Sequence, residues 1–291
     1  MASEQTEIKP CCVTGHIHEG IPLGKFEIVH GLRTYISDPK PPGPSQKQDV
    51  VVIISDVFGV DLINAKLVAD SWAGQGNGWK VLLPDFFEGG PIGIEHMNAI
   101  IPNLAIKRSE HTLIDQAKTT AEKAAALAPF LLHNREAVAR PTIEKFFQAV
   151  RADPHTDKII AIGFCWGGRY VLLLSKDDSP ARVDVAVAYH PSFVVNADVE
   201  GITKTPVAVF KGDQDDIMDD AALDEIEKIL RGQLGDKLFV KRYKDAVHGF
   251  AVRGDDQQPR ERGFKEDAAN EGIKFAQQWV SEPTGVSSAG I

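Results

Sequence analysis

The segment from Lys158 to Arg169 constrains the fold of this chain more than any other. A run of apolar and small residues, typical of a strand buried on both faces, leads into the turn Gly163-Phe-Cys-Trp-Gly-Gly, and a helix-compatible pattern follows. The glycines permit the sharp backbone and the close packing that such a turn needs. In a strand–turn–helix arrangement the central residue is exposed at the carboxyl end of the sheet. That residue is Cys165, so the sequence predicts a thiol nucleophile.

Strand and helix patterns alternate from about residue 49 to 282. The predicted strands cover residues 49–55, 79–87, 158–164, 183–190, 205–212 and 237–243. Besides the helix that starts at Trp166, the predicted helices cover roughly 62–75, 109–133, 141–152, 219–232 and 260–280. This alternation of buried-type strands with helices predicts a mostly parallel central sheet with helices on both faces. Together with the cysteine turn, it predicts an α/β-hydrolase fold.

We expect one hydrolase domain over residues 46–282, preceded by an N-terminal extension over 1–45 and followed by a flexible tail over 283–291. Within the extension, Lys25–His30 and Leu32–Ser37 are predicted to form a short antiparallel hairpin. Residues 88–107 carry little periodic signal, and we expect them to cap the site.

The composition excludes several kinds of partner. The 291 residues include 32 Lys and Arg against 41 Asp and Glu, a net charge of −9, and no basic block, which argues against nucleic acid or an anionic membrane. Neither a membrane-spanning run nor a secretory signal is visible. Three cysteines cannot form a disulfide framework. We therefore expect a cytoplasmic protein. We also expect it to act on a small molecule, as a monomer or weak homodimer.

A catalytic thiol needs a base within reach and a third group that orients the base. In α/β-hydrolases the acid and then the histidine follow the nucleophile along the chain. After Cys165, one predicted strand ends in Gly212-Asp-Gln-Asp-Asp, which offers Asp215, with Asp213 or Asp216 as alternatives. The next predicted strand is followed by His248. Strand ends of this kind meet at one edge of an open α/β sheet, so these side chains are predicted to converge.

Each of these residues also has a simpler interpretation. Cys165 could be a small packed residue, Asp215 could serve a turn, and His248 could bond its loop neighbours. The whole chain could then be a non-catalytic or redox-responsive ligand-binding protein on a hydrolase scaffold. The order of the three residues at successive strand ends favours catalysis.

Backbone amides near the turn are candidates for an oxyanion hole. The helix that begins at Trp166 directs its amides and its positive dipole end at the sulfur, which favours a thiolate. The Trp166 amide is one predicted oxyanion donor, and the Val57 amide, in the loop after the first core strand, is the other. Asp56 closes that buried strand and must be solvated or bonded, either as a loop or cap acid or in contact with the thiol.

Five short motifs together resemble the dienelactone hydrolase family over about residues 45 to 282: Asp56-Val-Phe-Gly, Pro84-Asp-Phe-Phe, Gly163-Phe-Cys-Trp-Gly-Gly, Gly212-Asp-Gln-Asp and His248-Gly-Phe. The N-terminal Cys11-Cys-Val-Thr-Gly-His is similar to fungal members. The resemblance implies a triad of Cys165, His248 and Asp215 and hydrolysis of an ester or an unsaturated lactone such as a dienelactone. No metal or organic cofactor is expected.

Two positions depart from the pattern of the bacterial members that the chain resembles. Those members carry Glu where this chain has Asp56, and there the carboxylate holds the resting thiol, so Asp56 is the candidate for a thiol-gating role. They also bind the substrate carboxylate with an arginine four residues after the catalytic histidine. That position is Val252 here, and the neighbouring Arg253, like Arg169, is a candidate substrate-binding residue.

Cys11 and Cys12 lie close in sequence to His16 and His18, which together could suggest a metal site. No second group of ligands is apparent. An N-terminal segment that packs two small sulfur-containing side chains is the preferred interpretation.

Overall fold

The computed structural model describes residues 17–38, 46–76, 78–97 and 124–281. Its strands are β1 (Lys25–Val29), β2 (Leu32–Ser37), β3 (Gln48–Ile54), β4 (Lys80–Pro84), β5 (Thr156–Phe164), β6 (Val185–Tyr189), β7 (Val207–Gly212) and β8 (Leu238–Tyr243). Its helices are α1 (Ile63–Gln75), α2 (Glu136–Ala152), α3 (Trp166–Ser175), α4 (Asn196–Val199), α5 (Asp220–Leu234), α6 (Phe250–Arg253) and α7 (Pro259–Ser281). Residues 124–133 are also helical.

The strands form one 8-stranded sheet in the order β1-β2-β4-β3-β5-β6-β7-β8. From β4 to β8 every neighbouring pair is parallel, whereas β1 with β2 and β2 with β4 are antiparallel. A mostly parallel sheet flanked by helices confirms the predicted α/β-hydrolase fold. Because β3, β5, β6, β7 and β8 run in the same direction, the loops that follow them meet at one edge.

The two sides of the sheet are both buried, which explains the unbroken apolar run in β3. Val50, Val52 and Ile54 pack into the core that contains α2, α3 and α5. Val51 and Ile53 face the opposite core, which contains α1 and α7. Strands covered on both faces need apolar residues at every position rather than at alternate ones.

The predicted hairpin is present as β1 and β2. Val29 pairs with Leu32, and the two loop residues, His30 and Gly31, have positive φ of 48° and 86°. Two-residue hairpin loops with both φ values positive match the twist of the strands they join. Since β2 also pairs with β4, the hairpin extends the central sheet, while the domain boundary near residue 45 stays a prediction.

The helix predicted over 141–152 begins earlier, at Glu136, and includes Pro141 in its interior. Arg140 pairs with Glu136 and Glu144 at i,i+4 spacing, so side-chain contacts span the proline position where a backbone donor is missing. The helix predicted over 109–133 is seen in its last part, 124–133, and the rest lies outside the described residues, as does the second half of the predicted cap segment, 98–107.

Candidate active site

Cys165 occupies a strained turn between β5 and α3. Its φ of 54° and ψ of −115° are unusual for a residue with a side chain. The Cys165 amide donates to the Tyr189 carbonyl at 3.1 Å, and the Cys165 carbonyl accepts from the Gly168 amide at 3.0 Å. The fold therefore fixes the backbone of this residue in a conformation that it would not adopt alone.

At two glycines of the nucleophile turn, close backbone contacts leave no room for a side chain. A Cβ atom at Gly163 would lie 2.2 Å from the Gly167 carbonyl oxygen, and one at Gly167 would lie 2.1 Å from the Ile54 carbonyl oxygen. The first turn of α3 thus rests directly on the ends of β5 and β3. This contact brings Cys165 to the carboxyl edge of the sheet.

Replacing Gly167 by alanine is expected to lower the free energy of unfolding by about 1–3 kcal/mol, because the new methyl group overlaps a backbone oxygen that cannot move freely. Urea denaturation measures the change. The matched control is Gly74→Ala in α1, where a Cβ atom meets nothing within 4 Å. That variant should gain roughly 0.5–1 kcal/mol from helix propensity. Equal shifts in the two variants would contradict the close contact at Gly167.

His248 and Asp215 form a buried pair at the same edge. His248 Nδ1 lies 2.8 Å from Asp215 Oδ2, and the two side chains are 2% and 0% exposed. Asp215 Oδ1 accepts hydrogen bonds from the amides of Ile217 at 2.9 Å and Met218 at 3.3 Å. The carboxylate is therefore held by its own loop and directed at the imidazole, the contact that orients a catalytic histidine.

The other two aspartates of this loop lie elsewhere. Asp213 Oδ1 accepts from the Asp245 amide at 2.6 Å and so bridges two loops. Asp216 is exposed, whereas Asp215 is buried. Of the three acids that the sequence left open, Asp215 is the one in contact with His248.

The Cys165 sulfur contacts several groups that stabilise a negative charge. The His248 ring and the Trp166 amide lie beside it, and Ser192 Oγ is 3.3 Å from the sulfur. Burial alone would raise the pKa of Cys165, but the charge of His248 and the polar hydrogens of His248, Ser192 and Trp166 lower it below its ordinary value. The environment therefore favours the thiolate.

The pKa of His248 is shifted in the opposite direction to that of Cys165. Burial alone would lower the pKa of His248, but the charges of Asp215 and Cys165, with their hydrogen bonds, raise it to about 10. Burial would raise the pKa of Asp215, but the charge and hydrogen bond of His248 and the Ile217 amide lower it. A buried thiolate–imidazolium pair with an ionised carboxylate behind it is the protonation state that these contacts support at neutral pH.

Two residues at this edge, His190 and Ser192, were missed by the sequence analysis. Both follow β6, and both are 0% exposed. The His190 ring meets the His248 ring edge-on with centroids 4.9 Å apart, and burial lowers the pKa of His190 well below its ordinary value, so it is neutral. Polar residues directly after a buried strand were the available signal, since β6 ends at the same edge as β5 and β7.

The predicted second oxyanion donor lies in the turn after β3. Asp56 Oδ1 accepts from the Phe58 amide at 3.0 Å, and the Asp56 carbonyl accepts from the Gly59 amide at 3.1 Å. The Val57 carbonyl accepts from the Ile92 amide at 2.8 Å, which fixes the loop. In the described part of the chain no acceptor is paired with the Val57 amide, so its role with the Trp166 amide stays a prediction.

Asp56 is paired with Arg253. The Arg253 guanidinium donates to Asp56 Oδ2, and its Cζ atom lies 5.1 Å from the centroid of the Phe58 ring. The two charged residues are 2% and 3% exposed. Burial lowers the pKa of Arg253 to about 9, so it is still charged at neutral pH. The thiol-gating role of Asp56 and the substrate-binding role of Arg253 remain predictions, and each residue has the other as its partner here.

Arg169 is held by protein carboxylates. Its Nε lies 2.8 Å from Asp198 Oδ2, and its Nη2 lies 3.0 Å from Asp198 Oδ1 and 2.6 Å from Glu136 Oε2. These pairs join α3 to α2 and α4. These bonds use Nε and Nη2 of the guanidinium, and the substrate-binding role of Arg169 stays a prediction.

An aromatic wall, made of Phe87, Phe130, Trp166 and Tyr170, adjoins the nucleophile turn. The Trp166 ring meets Phe87 edge-on with centroids 5.0 Å apart and lies 4.2 Å from the Tyr170 centroid. Phe87 in turn meets Phe130 at 4.9 Å. All four side chains are buried and belong to the core on the α3 side of the sheet.

A separate cavity of about 450 Å³ lies between α1 and α7. Trp72, Phe164 and Tyr189 form part of its wall, with Lys265 and Asn270 from α7. Cys165, His248 and Asp215 do not line it. The catalytic candidates and this cavity are therefore distinct features.

The sheet, its helices and the cysteine at the strand-to-helix turn define the chain as an α/β-hydrolase. The model of the Dienelactone hydrolase family matches residues 32–282, and the chain belongs to that family. Hydrolase pyvD of Aspergillus violaceofuscus is 27% identical over 272 residues, which cover 94% of this chain and 97% of that protein. Dienlactone hydrolase 1 of Gibberella moniliformis is 28% identical over 271 residues, 93% and 94% of the two chains.

A solved structure supports the fold. An esterase of Thermogutta terrifontis superposes with a TM-score of 0.58 over 87% of this chain and 93% of its own, at 13% identity. Membership of the family makes the chain a carboxylic ester or lactone hydrolase.

Two further observations concern ions and membranes. None of the helices that the structure describes is both long and apolar enough to cross a membrane. Over the same residues, no three His, Cys, Asp or Glu side chains are grouped to bind a metal ion. Cys11, Cys12 and His16 lie outside the described residues, and the His18 ring lies 2.7 Å from the Gly254 carbonyl oxygen.

Proposed function

We propose that the chain hydrolyses an ester or lactone with a Cys165–His248–Asp215 triad and a thioester intermediate. The observation that carries this proposal is the position of the His248 ring: Nδ1 lies 2.8 Å from the Asp215 carboxylate, and Nε2 is on the side of Cys165, where Nε2 and the sulfur both contact Ser192 Oγ. This is the arrangement of nucleophile, base and orienting acid that covalent acyl transfer requires.

The reaction proceeds in two halves. The Cys165 thiolate attacks the carbonyl carbon, and the Trp166 and Val57 amides donate to the oxygen as it becomes negative. The carbon–oxygen bond to the leaving group breaks, and that oxygen takes the proton from His248 Nε2. A water then gives its proton to His248 and attacks the thioester carbon. The carbon–sulfur bond breaks, which releases the acid and returns the thiolate.

An ester consists of an acyl group and an alcohol group, and the thioester forms with the acyl group. In a lactone both groups belong to one ring, so the ring opens on the thiol and leaves as a hydroxy acid.

Acid-quenched mixtures of the protein with a p-nitrophenyl ester test the proposal. We expect mass spectrometry to find one added acyl group on the peptide that contains Cys165, because the thioester survives at low pH when its hydrolysis is stopped. Prior alkylation of Cys165 should prevent the addition. His248→Asn should reduce its rate by about 10²-fold or more, since the base is lost.

Two other outcomes of this experiment would contradict the proposed function. Acyl groups found only on other residues would contradict the thiol mechanism. A ligand-binding protein on the same scaffold would show no time-dependent acylation of Cys165. Both results differ from a stable, His248-dependent adduct at that cysteine.

We also propose that the protein works in the cytoplasm, as a monomer or weak homodimer. The support for the compartment is the chemistry of the site, since a reducing environment keeps a catalytic thiol free. Cys165 is unpaired in the structure.

A further inference from the structure

We propose that Ser192 is a positioning residue that donates a hydrogen bond to the Cys165 thiolate and keeps the His248 ring beside it. This inference rests on the proposed thiol mechanism and extends it to a fourth side chain. Ser192 Oγ lies 3.3 Å from Cys165 Sγ and 3.5 Å from His248 Nε2, so the hydroxyl contacts the nucleophile and the base at once.

The backbone around Ser192 is tied to the nucleophile turn. The Ser192 amide donates to the Cys165 carbonyl at 3.0 Å, and the Cys165 amide donates to the Tyr189 carbonyl at 3.1 Å. These two bonds fasten the loop after β6 to the residue whose sulfur the hydroxyl contacts. The two backbones are therefore held together, which keeps Oγ within reach of Sγ.

The same loop contains unusual backbone conformations on both sides of the serine. His190 has φ of 37° and Phe193 has φ of 61°, values that residues with side chains rarely adopt. The α3 helix also approaches closely, because a Cβ atom at Gly168 would lie 2.8 Å from Pro191. Conformations of this kind persist where the surrounding structure imposes them, and they cluster at functional sites.

Counting hydrogen atoms assigns the direction of each bond. The Ser192 hydroxyl carries one hydrogen, and a thiolate can only accept, so the hydroxyl donates to Cys165 Sγ. In the imidazolium the single Nε2–H can be shared by the sulfur and by the Ser192 oxygen, which lies 3.5 Å from Nε2, while Nδ1–H is given to Asp215. Ser192 therefore contacts both members of the ion pair, as a donor to the thiolate and as a second acceptor for His248.

Ser192→Ala removes this donor and is expected to shift the thiol titration upward. Hydrogen bonds to charged groups are strong, so we expect the midpoint of iodoacetamide alkylation to rise by about one pH unit. Below the midpoint the alkylation rate should fall about tenfold. Peptide mass spectrometry separates Cys165 from Cys11 and Cys12. Of the described titratable groups, His248 acts on the sulfur directly, and Asp215 and His190 contact His248 in turn.

Two variants show whether the hydroxyl itself is responsible. Ser192→Thr keeps the hydroxyl and should return the midpoint close to that of the natural chain. Ser175→Ala removes another fully buried hydroxyl, one that donates to the Val171 carbonyl in α3, and should leave the midpoint unchanged. If Ser192→Ala folds poorly, the pair Ser192→Thr and Ser192→Val, equal in shape and different in the hydroxyl, gives the same comparison.

An unchanged midpoint in Ser192→Ala, or in Ser192→Val relative to Ser192→Thr, would overturn the inference. Failure of the proposed thiol mechanism would give a different set of results. If Cys165→Ala keeps full ester turnover, the proposed function fails whatever Ser192 does. If Cys165→Ala is inactive and Ser192→Ala titrates like the natural chain, then only the role of Ser192 is wrong.

Discussion

Cys165→Ala is expected to reduce turnover of an activated aryl ester by about 10³-fold or more, because the variant loses the atom that forms the acyl intermediate. The fold should survive, since the change removes one sulfur from a residue whose backbone is held by bonds to Tyr189 and Gly168. Initial rates with p-nitrophenyl esters measure the loss, and circular dichroism and thermal unfolding verify the fold.

Three further variants test the assignment of Cys165 as the nucleophile. His248→Asn should give a loss of similar size, and the Cys165→Ala/His248→Asn double variant should lose little more, because residues that act as one unit are not additive. Cys11→Ala removes a thiol that the proposed mechanism does not use and should keep full activity. Cys165→Ala with turnover within tenfold of the natural chain would contradict the assignment.

Arg253→Met is expected to lower the free energy of unfolding by about 3–5 kcal/mol, because it leaves Asp56 as a buried charge without its cation. The pair is the most deeply buried contact between a carboxylate and an arginine described for this chain, with side chains 1% and 2% exposed. Methionine keeps much of the arginine's apolar volume beside Phe58, so the loss reports charge more than packing. Urea denaturation measures it.

The double variant and a surface control separate the causes. Asp56→Asn/Arg253→Met should recover part of the loss, since asparagine still accepts from the Phe58 amide without a charge. Arg231→Met, at a pair with Glu227 on α5 in which the arginine is 51% exposed, should cost less than about 1 kcal/mol. A loss in Arg253→Met no greater than in Arg231→Met would mean that Asp56 is stabilised by something else.

Local sequence patterns were sufficient to predict the strand, turn and helix that hold Cys165. The run before Cys165 and the three nearby glycines predicted the strand, the turn and the helix, and the structure has all of them at β5 and α3. The sequence also ordered the acid and the histidine after the nucleophile. It left three aspartates open, because Asp213, Asp215 and Asp216 lie in one loop where a shift of one residue reverses the direction of a side chain.

Pairings between distant residues could not be predicted in this way. Asp56 and Arg253 are 197 positions apart, and the sequence assigned one to the thiol and the other to the substrate. Ser192 had no motif to mark it, and it reaches the sulfur only because the loop after β6 bonds to the Cys165 backbone.

The chain's periodicity and its turn residues determined the α/β-hydrolase sheet, the strained cysteine turn and the edge at which the catalytic candidates gather. These are effects of burial and of local backbone geometry, which act over a few residues and leave a readable pattern. The resemblance to the family already implied Asp215 as the acid, and the contact with His248 is visible only in the tertiary structure. Tertiary structure alone decided which cation neutralises Asp56 and which hydroxyl contacts the sulfur. Such contacts are made or lost by differences of a few tenths of an ångström in distance, and no local pattern encodes them.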